Sequence, residues 1–260
     1  MLNVSVAIIS KNEVLNIEAA LESVKDAKEI VVVDDYSTDG TVNICKKYTQ
    51  KIYQIQWQGY AKQKQMAIDL TSGQWVFLLD CDERLTPKLQ LEIERVITEN
   101  TFDGFYVPRK NFFLGKWIRG GGWWPDYTLR LFKKECAAML ERTVHERVIV
   151  NGTTGYLKNP IEHYSYKTVG DFITRMDKYS SLAAQEILKT KPSFSLIEIT
   201  FTLTVKPVFT FIKMYIIRLG LVDGLYGLVL AILYSFYTFL KYLKLWELNG
   251  GYTHKGQDSK

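Results

Sequence analysis

Three carboxylates within four positions, Asp80, Asp82 and Glu83 in "FLLDCDERLTP", close an apolar run. Carboxylates this close repel one another, and each is costly near a core unless a cation or hydrogen-bond donors offset its charge. Magnesium and manganese prefer oxygen ligands and often bind one or two carboxylates together with substrate phosphates and water. The two-residue period of a strand puts Asp80 and Asp82 on one side, so one could hold a metal while the other meets sugar or ribose hydroxyls. An ordinary solvated acidic turn is the rival, which a lone D-x-D does not exclude.

A second acidic cluster lies in "VVVDDYSTDGT" (31–41), where Asp34 and Asp35 end a β-branched run. Two adjacent acids at a strand terminus can accept hydrogen bonds from a base edge or a ribose. The same stretch also reads as strand, turn and helix cap, with Asp39 and Thr41 serving the backbone. Together with "SKNE" (10–13), which brings Ser10 and Glu13, it forms a candidate nucleoside pocket. Neither G-x-G-x-x-G nor G-x-x-x-x-G-K-[ST] occurs, which disfavours dinucleotide and P-loop readings.

These clusters need elements to position them, and the first hundred residues supply an alternation. Strands are expected at 4–9, 29–35 and 74–80, and helices at 16–26, 39–49 and 61–71. Continuous apolar strands alternating with helices predict a mostly parallel sheet covered on both faces. Ligands of such sheets sit beyond the carboxyl ends of the strands, which is where all three polar clusters fall. From 102 to 150 the pattern turns to short aromatic pieces with glycine clusters, read as a smaller antiparallel-leaning region over the crevice. A helix is expected over 165–190, broken by "KTKPSFS" (189–195).

At 260 residues, with 47% hydrophobic and 23% charged residues, the chain can bury a full core and is not disordered. A net charge of +5 and a pI near 8.9 fit an anionic partner without naming one. No basic-aromatic module for nucleic acid is present. Cys45, Cys81 and Cys136 are too few and too scattered for a disulfide framework or a zinc site, so a reducing, cytosolic setting is expected. The start, "MLNVSVAIISKNE", reads as a first strand and not as a signal peptide.

Residues 201–248 are dense in Phe, Tyr, Leu and Ile, and Gly224–Leu240 carries no charge. Lys206, Lys213 and Arg218 precede that run; Lys241 and Lys244 follow it. Cations on both flanks suit a segment lying in the membrane interface or re-entering, with a buried helical pair as the alternative.

"VSVAIISKNEVLNIEAALESV", "IVVVDDYSTDGT", "GYAKQKQMAI" and "WVFLLDCDERLTP" together resemble the family 2 glycosyltransferases of the GT-A fold. The later "GGWWPDYTLRLFKK", "TVHERV" and the aromatic tail are similar to the lipopolysaccharide-core β-glucosyltransferase group. The resemblance implies an α/β GT-A fold: a Rossmann-like nucleotide-binding mixed sheet flanked by helices, plus a C-terminal helical membrane-associating tail. It also implies inverting transfer from a UDP-sugar with a divalent metal, Mg²⁺ or Mn²⁺. Carried over, Ser10 and Glu13 line the nucleoside pocket and Asp35, with Asp34 beside it, meets the base. Lys64 stands where many relatives have an arginine and makes a basic contact to the nucleotide. Asp80 faces ribose or sugar, and Asp82, with Asp80, holds the metal. Tyr36 replaces the more frequent glycine of this turn, which puts the local turn geometry in question.

An inverting transfer needs a general base for the acceptor hydroxyl. The Glu-Asp pair of many relatives is missing after residue 100, so the candidates are Asp126 in "WWPDY" and Glu146 in "VHE", unranked, with His145 adjacent to orient a partner. His163 and His254 show no partner pattern and read as ordinary polar residues. Trp123 and Trp124 suit either a sugar face or a core. Arg119, Arg130, Lys110 and Lys116 suit either phosphates or a solvated face.

The expected enzyme is therefore a hexosyltransferase, with glucose the expected sugar. Its partners are a UDP-sugar donor, a lipid-anchored lipopolysaccharide-core acceptor and a membrane surface; a homo-oligomer is left open. Its expected place is the cytoplasmic face of the bacterial inner membrane, peripheral or monotopic. Residues 1–165 would form the GT-A domain, 166–248 the membrane-associating region and 249–260 a loose polar end. The rivals are a polyprenyl-phosphate glycosyltransferase and a catalytically silent membrane-binding module of the same fold.

Overall fold

The computed structural model of the protein describes residues 2–140, 147–191 and 193–251. Along the chain run β1 (Leu2–Ser10), α1 (Ile17–Glu22), β2 (Ala27–Asp34), α2 (Thr41–Cys45), β3 (Ile52–Gln54), α3 (Tyr60–Asp69), β4 (Trp75–Leu79), β5 (Glu83–Leu85) and α4 (Pro87–Glu99). There follow β6 (Gly104–Phe113), β7 (Lys116–Trp117), β8 (Asp126–Lys133), β9 (Ala137–Leu140), β10 (Arg147–Val150), β11 (Thr154–Tyr156), β12 (Ile161–Tyr166), α5 (Val169–Thr190), α6 (Leu196–Ile212) and α7 (Leu225–Trp246).

Two compact units divide these elements. The first holds residues 1–112 and 125–165, and the second holds 113–124 and 166–260. The "GWW" segment, expected in the first domain, therefore packs with the helical unit.

The first unit is built on a sheet of order β3-β2-β1-β4-β8-β6-β12-β5. β1, β2, β3 and β4 run parallel, and β8 joins antiparallel to β4. The strands are apolar on both sides because both sides are covered. Val6, Ile8, Val32, Phe77 and Leu79 face α1 and α4 through Ile17, Leu21, Leu89 and Ile93, while Ala7, Val33, Val76 and Leu78 share the opposite core with Ala67 and Ile68 of α3. The two-residue period thus divides one hydrophobic run between two cores.

Register sets the functional rim. Ser10 pairs with Asp34 and Ile8 with Leu79, so the polar clusters after β1, β2 and β4 end level with one another. Because Leu131 of β8 faces Phe77 antiparallel, the start of β8 at Asp126 lies on the same rim.

In the second unit α7 packs against both α5 and α6. Capping boxes start α5 (Thr168 with Asp171) and α6 (Ser195 with Glu198). The loop around Gly120 is pinned by buried Asp223, whose Oδ2 accepts from the amides of Gly120 at 2.7 Å and Arg119 at 3.0 Å. A Cβ at Gly120 would lie 2.1 Å from the Leu219 carbonyl oxygen, so this close approach requires glycine. Leu196–Ile217 and Leu225–Gly250 are long and apolar enough to cross a membrane by length and composition.

Candidate functional site

The rim begins with a brace. Asp34 is fully buried and accepts from Ser10 Oγ at 2.8 Å, Ser37 N at 2.7 Å and Ser37 Oγ at 2.5 Å. The Asn12 amide donates to Ser37 Oγ at 2.8 Å, and the Thr38 amide donates to Asn12 Oδ1 at 2.9 Å. Ser10, expected to line the nucleoside pocket, and Asp34, expected beside Asp35, are thus hydrogen-bonded within the turn. The carboxylate that reaches the surface is Asp35. Its Oδ1 accepts from the Trp57 amide at 3.1 Å, and Lys11 Nζ lies 3.2 Å from Oδ2. Trp57 and Tyr60 meet edge to face at 4.7 Å, and both are exposed. Glu13 Oε2 accepts from Asn16 Nδ2 at 2.7 Å. Tyr36 sits at φ 46°, the left-handed region that glycine takes freely.

The end of β4 is an ion-pair cluster. Lys64 Nζ, from α3, lies 2.9 Å from Asp80 Oδ1, while Arg130 of β8 pairs with Asp80 Oδ2 and, at 2.6 Å, with Glu83 Oε1. The Asp80 amide donates to Glu83 Oε2 at 3.1 Å. Burial raises the Asp80 pKa, but Arg130 and Lys64 outweigh it and hold the carboxyl well below the usual range. Burial alone would depress Arg130; its two carboxylates push it the other way, above its ordinary value. Arg130 is 4% exposed, so it is neither a surface charge nor free for a phosphate.

Asp82 belongs to a different set. His163 Nε2, on β12, lies 3.4 Å from Asp82 Oδ2, and Nδ1 lies 2.6 Å from Asn111 Oδ1. Asn111 Nδ2 donates to Asp126 Oδ2 at 3.0 Å, and Arg109 holds the same oxygen at 2.7 Å. No described residue donates to Asp126 Oδ1.

An ionised carboxylate only accepts, so Asn111 turns its NH₂ to Asp126 and its carbonyl to His163. That carbonyl faces Nδ1, which Ser165 Oγ also approaches at 3.0 Å, and Nε2 faces the Asp82 carboxylate. An imidazole facing a carboxylate, with its other ring nitrogen bound, is an arrangement that metal-ligating histidines share. Among the described residues no group of three His, Cys, Asp or Glu side chains is gathered for a metal. A cation here would draw its remaining ligands from substrate phosphates and water.

Of the residues expected at the site, Ser10, Glu13, Asp34, Asp35, Lys64, Asp80, Asp82 and Asp126 lie in the first unit. His145 and Glu146, like His254, lie outside the described residues. Both Asp80 oxygens are held by cationic side chains, whereas Asp82 Oδ2 lies 3.4 Å from His163 Nε2. His163, read from the sequence as an ordinary polar residue, faces Asp82. Only the pairing of β12 with β5, which sets His163 opposite Glu83, brings it there. Trp123 is 9% exposed and packs with Phe113 and Phe172 in the helical unit, as a core residue.

Comparison with known proteins was made on this background. Residues 5–164 match the family described as glycosyl transferase family 2. An uncharacterized glycosyltransferase of Rickettsia typhi is 32% identical, over 96% of this chain and 88% of its own. The lipopolysaccharide core biosynthesis glycosyltransferase LpsC of Rhizobium meliloti is 30% identical, over 95% of this chain and 93% of its own. Among solved structures, S. aureus TarS in complex with UDP-GlcNAc superposes with a TM-score of 0.51 at 15% identity, covering 97% of this chain and 93% of that one. The mannosyltransferase PcManGT from Pyrobaculum calidifontis, in complex with GDP-Man and Mn²⁺, gives 0.52 at 14% identity, covering 95% and 86%. At these identities the likeness is one of fold, the mixed GT-A sheet flanked by helices.

Proposed function

The chain belongs to glycosyl transferase family 2, and from that premise we propose that it is a metal-dependent, inverting hexosyltransferase. It moves a hexose, with glucose the expected sugar, from a UDP-sugar to a lipid-anchored lipopolysaccharide-core oligosaccharide. The observation that carries the metal reading is the facing of His163 Nε2 and Asp82 Oδ2 at 3.4 Å, with Nδ1 tied to Asn111. LpsC, similar over nearly its full length, supports the acceptor class. Nucleotide sugars bound by TarS and PcManGT, and Mn²⁺ by the latter, support the donor class and the metal.

In this reading Asp35, on a turn braced by Asp34 and Ser10, meets the base, with Glu13 and Lys11 beside it. Exposed Trp57 and Tyr60 offer ring faces to it. Asp80, fixed by Lys64 and Arg130, accepts from ribose or sugar hydroxyls. Asp82 and His163 hold the divalent cation, which when bound offsets charge on the diphosphate leaving group.

Asp126 is the general base. Arg109 and Asn111 hold Oδ2, and Oδ1 takes the acceptor hydroxyl proton as that oxygen bonds to the anomeric carbon and the bond to the diphosphate breaks. The acceptor's lipid anchor places the work at a membrane, by expectation the cytoplasmic face of the inner membrane.

The test is thermal stabilisation of the purified protein by nucleoside diphosphates and nucleotide sugars, with Mn²⁺, Mg²⁺ or a chelator. UDP and one UDP-sugar should raise the melting temperature, and the chelator, Asp82→Ala and His163→Ala should each remove the metal-dependent part. Stabilisation indifferent to chelator and to both substitutions would end the metal reading. Preference for another base would end the UDP reading.

A further inference from the structure

One face of α6 is left uncovered by its own unit. Ile197, Phe201, Val205, Val208, Ile212 and Ile216 recur at three- and four-residue spacing and are 40–83% exposed. The turn that follows extends the stripe through Leu219, Leu221, Val222 and Leu225, all exposed. The opposite face of α6 is occupied. Lys206 Nζ donates to Tyr242 Oη at 2.7 Å, and the Pro207 carbonyl accepts from Ser235 Oγ at 2.8 Å. A continuous apolar surface of this length on a folded unit marks an interaction site.

Its charge names the occupant. Between Ile199 and Leu240 the charged residues are Lys206, Lys213, Arg218 and Asp223. Asp223 is 2% exposed, with its carboxylate given to backbone amides; Glu198, next to Ile197, is ion-paired with Lys191, and Lys206 is turned to Tyr242, so the accessible charge left beside the stripe is that of Lys213 and Arg218. An apolar face rimmed by lysine and arginine suits an anionic lipid surface.

The apolar run most conspicuous in the sequence, 224–240, adds only Leu225 to this face, its other exposed large side chains being Ile232 and Phe236. It lies in α7, whose Leu230 and Ala231 pack with Phe172 and Met176 of α5, and whose Tyr242 and Leu245 pack with Ala184 and Leu203. α5 exposes Asp171, Arg175, Asp177, Lys178, Glu186 and Lys189 along its length. Were α7 to cross a bilayer, α5 would carry those charges into hydrocarbon, where each is expensive. An orientation in the plane of the membrane keeps them in water.

We infer that the protein docks flat on an anionic bilayer through the exposed stripe of α6 and the turn at 216–225, with α7 an internal spine and not a membrane span. This deepens the membrane placement proposed above and rests on that reading. A shallow, in-plane site would hold the helical unit at headgroup level without a transmembrane segment.

Depth measurement tests it. Fluorescent labels go on single cysteines at Ile197, Val205, Ile212 and Leu221, with Lys178 as control, in a Cys136→Ser background; the other two cysteines are buried. The full chain is mixed with phosphatidylcholine vesicles with and without phosphatidylglycerol, carrying shallow or deep quenchers. The stripe labels should all be quenched from shallow depth on phosphatidylglycerol vesicles only, and Lys178 should not. Val205→Glu with Val208→Glu should weaken vesicle binding about tenfold or more. A graded depth profile reaching the bilayer centre overturns the in-plane arrangement. Equal binding to neutral vesicles, or none, overturns the anionic surface, and vesicle-free self-association abolished by the double substitution assigns the stripe to a second copy. UDP stabilisation measured on the same variants reports folding and the donor site separately, so docking can fail while the transferase reading stands, and the reverse.

Discussion

His163 reaches Asp82 with one ring nitrogen at 3.4 Å and Asn111 with the other at 2.6 Å, which couples a carboxylate after β4 to the carboxylate that opens β8. Asn111 orients the ring, its carbonyl facing Nδ1 while its amide is committed to Asp126. Asn111→Leu should therefore weaken Mn²⁺ binding by about 10–100-fold, although Asn111 is not itself a ligand. Titration of Mn²⁺ in the presence of UDP, followed by the paramagnetic signal of the free ion, reads this directly. Unchanged affinity would mean that the imidazole needs no orienting partner.

Arg130 is the counter-charge of two carboxylates at once. With the arginine replaced by methionine, Glu83 at 0% exposure and half-buried Asp80 lose their shared partner. Breaking a buried pair from one side costs about 3–5 kcal/mol, because it leaves charge uncompensated. Urea unfolding of Arg130→Met should show a loss of that order, and adding Glu83→Gln should restore part of it. A loss below about 1 kcal/mol would show that water, and not Arg130, solvates the cluster.

Much of this arrangement was legible beforehand, for a physical reason: the strands that end at Asp34 and Asp80 are buried on both faces, and β-branched runs closing in acids are hard to misread. α3, with Lys64 placed beside Asp80, also lies close to its expected bounds. α4 was not singled out, although Thr86 caps it with a side-chain bond to the Leu89 amide and Pro87 opens it. The partners of Asp82 were invisible because β12 joins the sheet beside β5 and β6, a pairing no local pattern encodes. The same holds for Asp34, which the sequence shows as one of two equal acids. Only the fold separates the buried brace from Asp35. In the tail, composition draws attention to α7, whereas the larger exposed apolar face belongs to α6, since hydrophobicity alone does not distinguish a core helix from a membrane-facing one.

Tyr36 occupies left-handed backbone with φ 46° and is 54% exposed, so its side chain gives little packing to offset the conformation. For an L-residue that region costs roughly 1–2 kcal/mol, which glycine avoids, while glycine adds entropy to the unfolded chain. Tyr36→Gly should accordingly leave stability unchanged or raise it by up to about 1 kcal/mol. UDP binding, measured in parallel, shows whether the ring also serves the donor. A stability loss above about 1 kcal/mol would mean that the tyrosine makes contacts which outweigh the strain.

Glu29 supplies a pH dependence away from the rim. It is 8% exposed, pairs with Lys51 and Ser5, and accepts from the Ser72 amide at 2.8 Å and Ser72 Oγ at 3.0 Å. Burial raises its pKa, yet the partners together hold it at about 2, below the ordinary 4.5. The folded state therefore binds the proton less readily than the unfolded chain, so the stabilisation is complete above the unfolded value and is lost as pH falls from there towards about 2. Lys51 is half exposed, and solvent screens that partner, which leaves a contribution on the order of 2–3 kcal/mol. Urea midpoints for wild type and Glu29→Gln, taken between about pH 6 and about pH 3, should converge as the acid limit is approached. Curves that stay parallel across that window would place the acid sensitivity of the fold at other carboxylates.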